Sequence, residues 1–194
     1  VVGERISALV MFLCFSSRKL KKPLHVISLG SSGSGKTHLQ ESIAELIPKH
    51  EILSITSLSD NALYYYPKDA IKHCLFLIED MDGMGEDANY AMRELKSKGS
   101  LSKYLPVKDA KGNMITRKVE VQGPICFAGC TTKERIYEDN ANRCLLLYRD
   151  ESKQHKDKIM AAQRKASAGK INELEQTRIK ELFKDVQMIL KPIK

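Results

Sequence analysis

Eight consecutive residues, Gly30-Ser31-Ser32-Gly33-Ser34-Gly35-Lys36-Thr37, fit the pattern GxxxxGK[ST] at every specified position and lie between two apolar segments of different period. LHVISLG (24–30) reads as a short strand closed by glycine. After Lys36, the residues Leu39, Ile43, Leu46 and Ile47 mark one face of a helix that Pro48 stops. Strand, glycine-rich turn and helix together open a βαβ unit. The glycines let the chain curl so that successive N–H groups converge on an anion, and the helix N-terminus adds the positive end of its dipole. All eight residues are therefore candidate nucleotide contacts. Lys36 has the charge for the β- and γ-phosphates, and Thr37 has the hydroxyl for Mg²⁺. The competing reading is a plain flexible Gly/Ser turn.

A second element supports the first. CLFLIEDMDG (74–83) is a continuous apolar run ending in acids, as a central parallel strand buried on both faces reads. Glu79 and Asp80 are then delivered beside the loop, one acid to position the metal, for which Glu79 and Thr37 are the candidates, and the other to polarise the attacking water. The more common order is Asp then Glu. The reversed order, with the shorter acid second, leaves the division of roles open. Asp82 is a secondary third acid, and ordinary acids at a solvated strand end are the alternative.

The rest of the chain alternates in the same way. Residues 4–21 place Ile6, Leu9, Val10, Leu13 and Leu20 at helical spacing, with a basic end that suits the macrodipole. EILSITSL (51–58) and PICFAGCTT (124–132) read as strands, 86–98 as a helix with Ala91 and Leu95 inward, and NRCLLLYRD as a last apolar stretch. Residues 103–123 read as a β-hairpin turning at 110–113, with Lys108, Lys111, Arg117 and Lys118 around its tip and stems. From about Glu151 the composition becomes charged and helical. Gly169 is a break, and Ile171, Leu174, Ile179, Leu182, Val186 and Ile189 form an amphipathic stripe. The expected fold is α/β, three layers with a mostly parallel central sheet. The expected units are an ATPase core over 1–150 and a C-terminal helical element over 151–194.

Composition narrows the class. With 194 residues and 42% apolar content, the chain can bury a core, which argues against general disorder. Its longest apolar run, 6–15, is about half of the roughly 20 residues that cross a bilayer, so no membrane partner is expected. The five cysteines (Cys14, Cys74, Cys126, Cys130, Cys144) form no CxxC pair and read as buried reduced thiols, which suits the cytosol. Cys126 and Cys130 would share one face of a strand. The 32 basic against 24 acidic side chains, a net charge of +8, favour an anionic partner.

With both site elements in place, the chain resembles the AAA+ ATPases. Over roughly 1–150 it resembles the minichromosome-maintenance-like helicases, in particular the motor domains found with primase or replication genes on bacterial mobile elements. The resemblance rests on GERISALVMFLCF before LHVISLG, on LIEDMDGM, and on a hairpin just before PICFAGC. It implies a pre-sensor-1 hairpin whose bases Lys108, Lys111, Arg117 and Lys118 track DNA. It also implies Thr131 or Thr132 as sensor 1, with Thr131 preferred. Arg143 would be a finger reaching the neighbouring subunit's nucleotide, with Arg135 as runner-up. For Arg143 the alternative is an ion pair with Glu138 or Asp139; for the hairpin it is solubility and edge protection. The resemblance further implies ATP and Mg²⁺ as cofactors, a hexameric ring, DNA and replication proteins such as a primase as partners, a bacterial cytoplasmic setting, and a segment cut from a longer protein. The C-terminal helices would be a lid, a linker or a partner-binding element. The leading expectation is an ATP-driven motor that moves on or opens DNA. An ATP-gated initiator or loader without unwinding, and less so a P-loop kinase, stand behind it.

Overall fold

The computed structural model describes residues 2–133, 141–170 and 172–193. Among the described residues, seven strands form two sheets. Five strands, β1 (His25–Leu29), β2 (Ile52–Ile55), β3 (Leu75–Ile78), β6 (Cys126–Thr131) and β7 (Leu145–Tyr148), make one sheet in the order β2-β3-β6-β1-β7. All neighbours in it are parallel. β4 (Ser100–Lys108) and β5 (Met114–Gln122) form a separate antiparallel ribbon, paired from Ser100↔Gln122 to Lys108↔Met114. The strands β1, β3 and β6 are buried along their full length, as expected for a sheet covered on both faces.

Side-chain alternation sorts the core into two layers. Val26, Leu75, Leu77, Cys126 and Ala128 face α1 (Arg5–Ser16) and α2 (Lys36–Ala44), where they meet Met11, Cys14, Phe15, Leu39 and Ile43. Ile27, Leu29, Phe76, Ile78 and Phe127 face α3 (Glu86–Lys98), where they meet Ala88, Ala91, Met92 and Leu95. Ala91 and Leu95 are thus inward, as their spacing predicts. Cys126 and Cys130 do share a face: Cys126 Sγ donates to the Leu24 carbonyl at 3.2 Å, and Cys130 Sγ to Gln40 at 3.5 Å. All five cysteines are free thiols.

In α1 the exposed and buried faces differ from the expected stripe. Ile6, Leu9 and Leu13 are 81, 59 and 56% exposed, whereas Met11, Cys14 and Phe15 are sealed. The helix is apolar nearly all round, so its own period does not choose a face; the contact with β1 and α2 does. The basic end is not a solvated dipole partner either. Arg18, just beyond the helix in a 3₁₀ turn over Ser17–Lys19, is fully buried. Its guanidinium pairs with Glu51 and donates to Gln187 Oε1 at 2.6 Å and to the Phe15 carbonyl at 3.2 Å.

Two helices close the chain, α4 (Lys153–Ser167) and α5 (Glu173–Ile189), with Gly169 at φ 66° between them. Each begins with a side-chain cap, from Ser152 and Asn172. α5 docks on α1: Phe183 meets Phe12 edge-on at 5.3 Å, and Gln187 donates to Ser16 at 2.8 Å while accepting from Arg18. The predicted stripe is largely outside this contact, since Leu174, Leu182 and Ile189 are 85, 62 and 75% exposed. Ile171 lies outside the described residues.

Arg18 therefore ties the C-terminal helix to the core. Arg18→Met should lower stability by about 3 kcal/mol, because Gln187 Oε1 and the Phe15 carbonyl lose a buried charged donor and Glu51 keeps only Lys19. That corresponds to a fall of roughly 10 °C in Tm for a chain of this size. Burial alone would raise the Glu51 carboxyl, but hydrogen bonds from Lys19 and Arg18, with their charges, hold it below its usual value. A carboxyl lowered in the folded state contributes stability above its unfolded pKa of about 4.3 and loses it as pH falls through the lowered folded value. The gap between parent and variant should be full at pH 7 and narrow below pH 4, read by thermal melts across that range.

Candidate nucleotide site

The glycine-rich loop leaves the C-terminal end of β1 and enters α2. Gly33 and Gly35 adopt φ of 75° and 84°, the left-handed region where a side chain would strain the backbone. No atom lies within 4 Å of where a Cβ on Gly33 would stand. Lys36 is buried, and its ammonium spans the loop, donating to the carbonyls of Gly30 at 2.8 Å and Ser31 at 2.7 Å. The Ser34 hydroxyl is buried with no hydrogen-bond partner among the described residues. An orphaned hydroxyl in the loop and a lysine tethered to loop carbonyls fit a polyphosphate.

β3 is not next to β1. β6 lies between them, so the acids at the end of β3 face the loop across one intervening strand. Odd-numbered residues of β3 face α2, and Glu79 and Asp80 follow directly after the strand, their N–H groups donating to the carbonyls of Ile55 and Thr56. Burial pushes the Cys130 thiol on β6 up to about 11, a hydrogen bond with Thr37 and the charge of Lys36 oppose this, and Glu79 adds to it. Asp80 is held in the turn after β3. Its Oδ1 accepts from the Asp82 N–H at 2.9 Å, and its own N–H donates to Thr56 at 3.0 Å.

Asp82 organises the end of β6. It accepts from Thr131 Oγ1 at 2.6 Å, from Thr132 N–H at 2.9 Å and from Thr132 Oγ1 at 2.8 Å, with Lys133 Nζ 3.8 Å away. Burial would raise this carboxyl; the bonds from Thr131 and Thr132 hold it below its usual range. Both threonines named as sensor candidates thus share one carboxylate. Thr131 is buried and Thr132 exposed.

Arg143 stands elsewhere. It precedes β7, whose Leu145 pairs with Val26, so it lies level with the start of β1 while the loop lies beyond its end. At about 3.3 Å per residue, roughly 20 Å separate Arg143 from its own loop. Its guanidinium donates to the Ser97 hydroxyl at the end of α3. Nearby, Lys96 lies over the Phe127 ring at 4.5 Å, and burial lowers its pKa. Arg135, and the possible partners Glu138 and Asp139, lie outside the described residues.

The hairpin is rooted and then projects. Leu101 and Val121 at its base are buried in the α3 layer, and exposure rises along both strands. The register places Lys108 and Lys118 on one face with Tyr104, and Arg117 on the other, while Lys111 sits in the turn organised by Asp109. The four bases therefore surround the ribbon rather than lining one face. Lys118 is 3.5 Å from Glu120.

The sequence pattern did not single out Arg149, Glu151, Glu4 or His155. Arg149 Nε donates to the Ser34 carbonyl at 3.3 Å, and Glu151 accepts from the Ser31 N–H at 2.6 Å. Among the described residues, no group of three or more His, Cys, Asp or Glu side chains could hold a metal, so any divalent ion would rely on Thr37, an acid and the phosphates. No described helix is long and apolar enough to cross a membrane.

A family model described as the MTBMA_p00010 P-loop domain matches residues 1–192. No curated protein matches the chain. Among solved structures, the fold is similar to that of a protein from Cytophaga hutchinsonii described as a "putative ATPase", with a TM-score of 0.53 and 13% identity. The match covers 86% of this chain and 52% of that one, so the chain spans about half the length of that protein.

Proposed function

The chain belongs to the MTBMA_p00010 P-loop domain family, and we propose that it is an ATP-hydrolysing motor that acts on DNA as a ring of identical subunits, in the manner of replicative helicases. One observation carries the reading. β6 is the strand that separates the phosphate loop from the acids, its end is bonded through Thr131 to Asp82, and the basic hairpin joins its other end through only three residues, 123–125. A change at the site thus has a short path along the chain to the ribbon.

Bound ATP with Mg²⁺ supplies the transferable phosphoryl group and the metal charge. Lys36 would exchange loop carbonyls for phosphate oxygens, and Thr37 and Glu79 would hold the metal. Asp80 is the candidate to orient water, fixed by the Asp82 N–H. Thr131 carries the state of the site into β6. Arg143 of one subunit serves the loop of the next, since its own loop is out of reach. Lys108, Lys111, Arg117 and Lys118 contact phosphates of the DNA from around the ribbon, which gives weak sequence preference.

The test uses Lys108, Lys111 and Arg117 changed together to alanine. DNA affinity should fall, and the slope of log affinity against log salt should flatten by about 2–3, while ATP affinity stays at the parent value. Unchanged affinity and slope would make the ribbon structural. Strand displacement by the parent protein, with its size measured with and without an ATP analogue and DNA, separates two versions. An ATP-dependent hexamer that unwinds is the motor; ATP-gated binding without unwinding is an initiator or loader.

A further inference from the structure

A buried ion cluster grips the loop from outside the GxxxxGKT pattern. Arg149 follows β7, and its N–H donates to the Leu29 carbonyl at 3.0 Å, which fixes it beside the start of the loop. Its side chain is 5% exposed. Nη1 lies 2.9 Å from Glu4 Oε2, Nε donates to the Ser34 carbonyl, and Nη2 stands 3.4 Å from where a Cβ on Gly35 would be. Glu4 is equally buried; it accepts from the Asp150 N–H at 3.2 Å and lies 3.8 Å from His155 Nε2 of α4. Two residues beyond Arg149, Glu151 holds the Ser31 N–H.

Burying a guanidinium and a carboxylate is costly, and an apolar pair of the same volume would stabilise the fold at least as well. The orientation of one peptide gives the pair a use. In a planar trans peptide the carbonyl and the N–H point in opposite directions. With the Ser34 carbonyl drawn outward to Arg149, the Gly35 N–H is turned inward toward the cradle. We propose that Arg149 is a positioning residue of the nucleotide site: held by Glu4, it fixes the Ser34–Gly35 peptide so that its N–H meets the polyphosphate. This rests on the nucleotide reading given above.

The test compares Arg149→Gln and Arg149→Lys with the parent, by displacement of a fluorescent nucleotide with ATP, ADP and AMP. Arg149→Gln should weaken ATP and ADP about tenfold, the scale of one charge-assisted hydrogen bond, and AMP less than twofold. Arg149→Lys keeps the charge but not the fork, and should lose only two- to threefold. An ATP affinity within twofold of the parent in Arg149→Gln would overturn the proposal, as would an equal loss for all three nucleotides. Should Arg149→Gln fail to melt cooperatively, Arg149→Lys decides: a parental ATP affinity or an equal loss for AMP overturns the proposal there too. Lys36→Ala run in parallel separates the two levels. If it binds ATP like the parent, the nucleotide reading itself fails; if it loses ATP while Arg149→Gln does not, only the role of Arg149 fails.

Discussion

Lys36→Ala should weaken ATP binding by at least a hundredfold and silence hydrolysis. The ammonium makes two hydrogen bonds within the loop, to Gly30 and Ser31, and is almost fully enclosed. A charged group placed this way gives up loop carbonyls for phosphate oxygens with little further desolvation. Each charge-assisted bond to a phosphate is worth about 1.5–3 kcal/mol, so losing two gives a factor of about a hundred or more. Fluorescent-nucleotide titration reads the affinity, and phosphate release reads the turnover. A folded Lys36→Ala protein that hydrolyses ATP at the parental rate would end the assignment of this loop. Lys36→Arg makes a sharper companion: it keeps the charge, but the larger fork does not fit between the Gly30 and Ser31 carbonyls, so it should also bind poorly.

The loop was readable because its chemistry is contiguous: the glycines, the lysine and the threonine follow one another, and local backbone geometry does the rest. The hairpin was readable for a similar reason, since its turn and its flanking alternation are short-range signals. The strands of the parallel sheet could be seen as apolar runs, but their order could not. That β6 lies between β1 and β3 is a matter of which buried edges pair, and each run is equally apolar on both faces. Residues joined only by that pairing were therefore missed. Glu4 and Arg149 stand 145 positions apart, one at the start of α1 and the other just after β7, and meet only in the fold.

The same limit explains α1 and Arg18. A helix apolar over most of its surface leaves its inward face to be chosen by the neighbours, and the neighbours chose Met11, Cys14 and Phe15 over Ile6, Leu9 and Leu13. Arg18 read as a basic helix end because its partners, Glu51 and Gln187, lie 33 and 169 positions away. In the sequence Asp82 reads as a secondary third acid. In the fold it is the acid that binds both threonines.

Mixing two inactive variants should restore ATPase activity. Lys36→Ala lacks a working loop but keeps Arg143; Arg143→Ala keeps its loop but cannot serve a neighbour. Because about 20 Å of strand separates Arg143 from its own loop, no side-chain rotation closes a site within one chain. An arginine supplied in trans is worth roughly 10³–10⁵ in turnover, so each variant alone should fall by at least a thousandfold. In a ring assembled at random from equal amounts, about a quarter of the interfaces pair an intact loop with an intact Arg143, and about that share of the parental rate should return. The lost Ser97 contact is a separate effect of Arg143→Ala, and Ser97→Ala controls for it. If Ser97→Ala is as inactive as Arg143→Ala, the arginine is needed for the fold of its own subunit. If the mixture stays as silent as its components at concentrations where the parent assembles, the site is not shared. Recovery near a quarter, rising with total protein, is the result that a composite site requires.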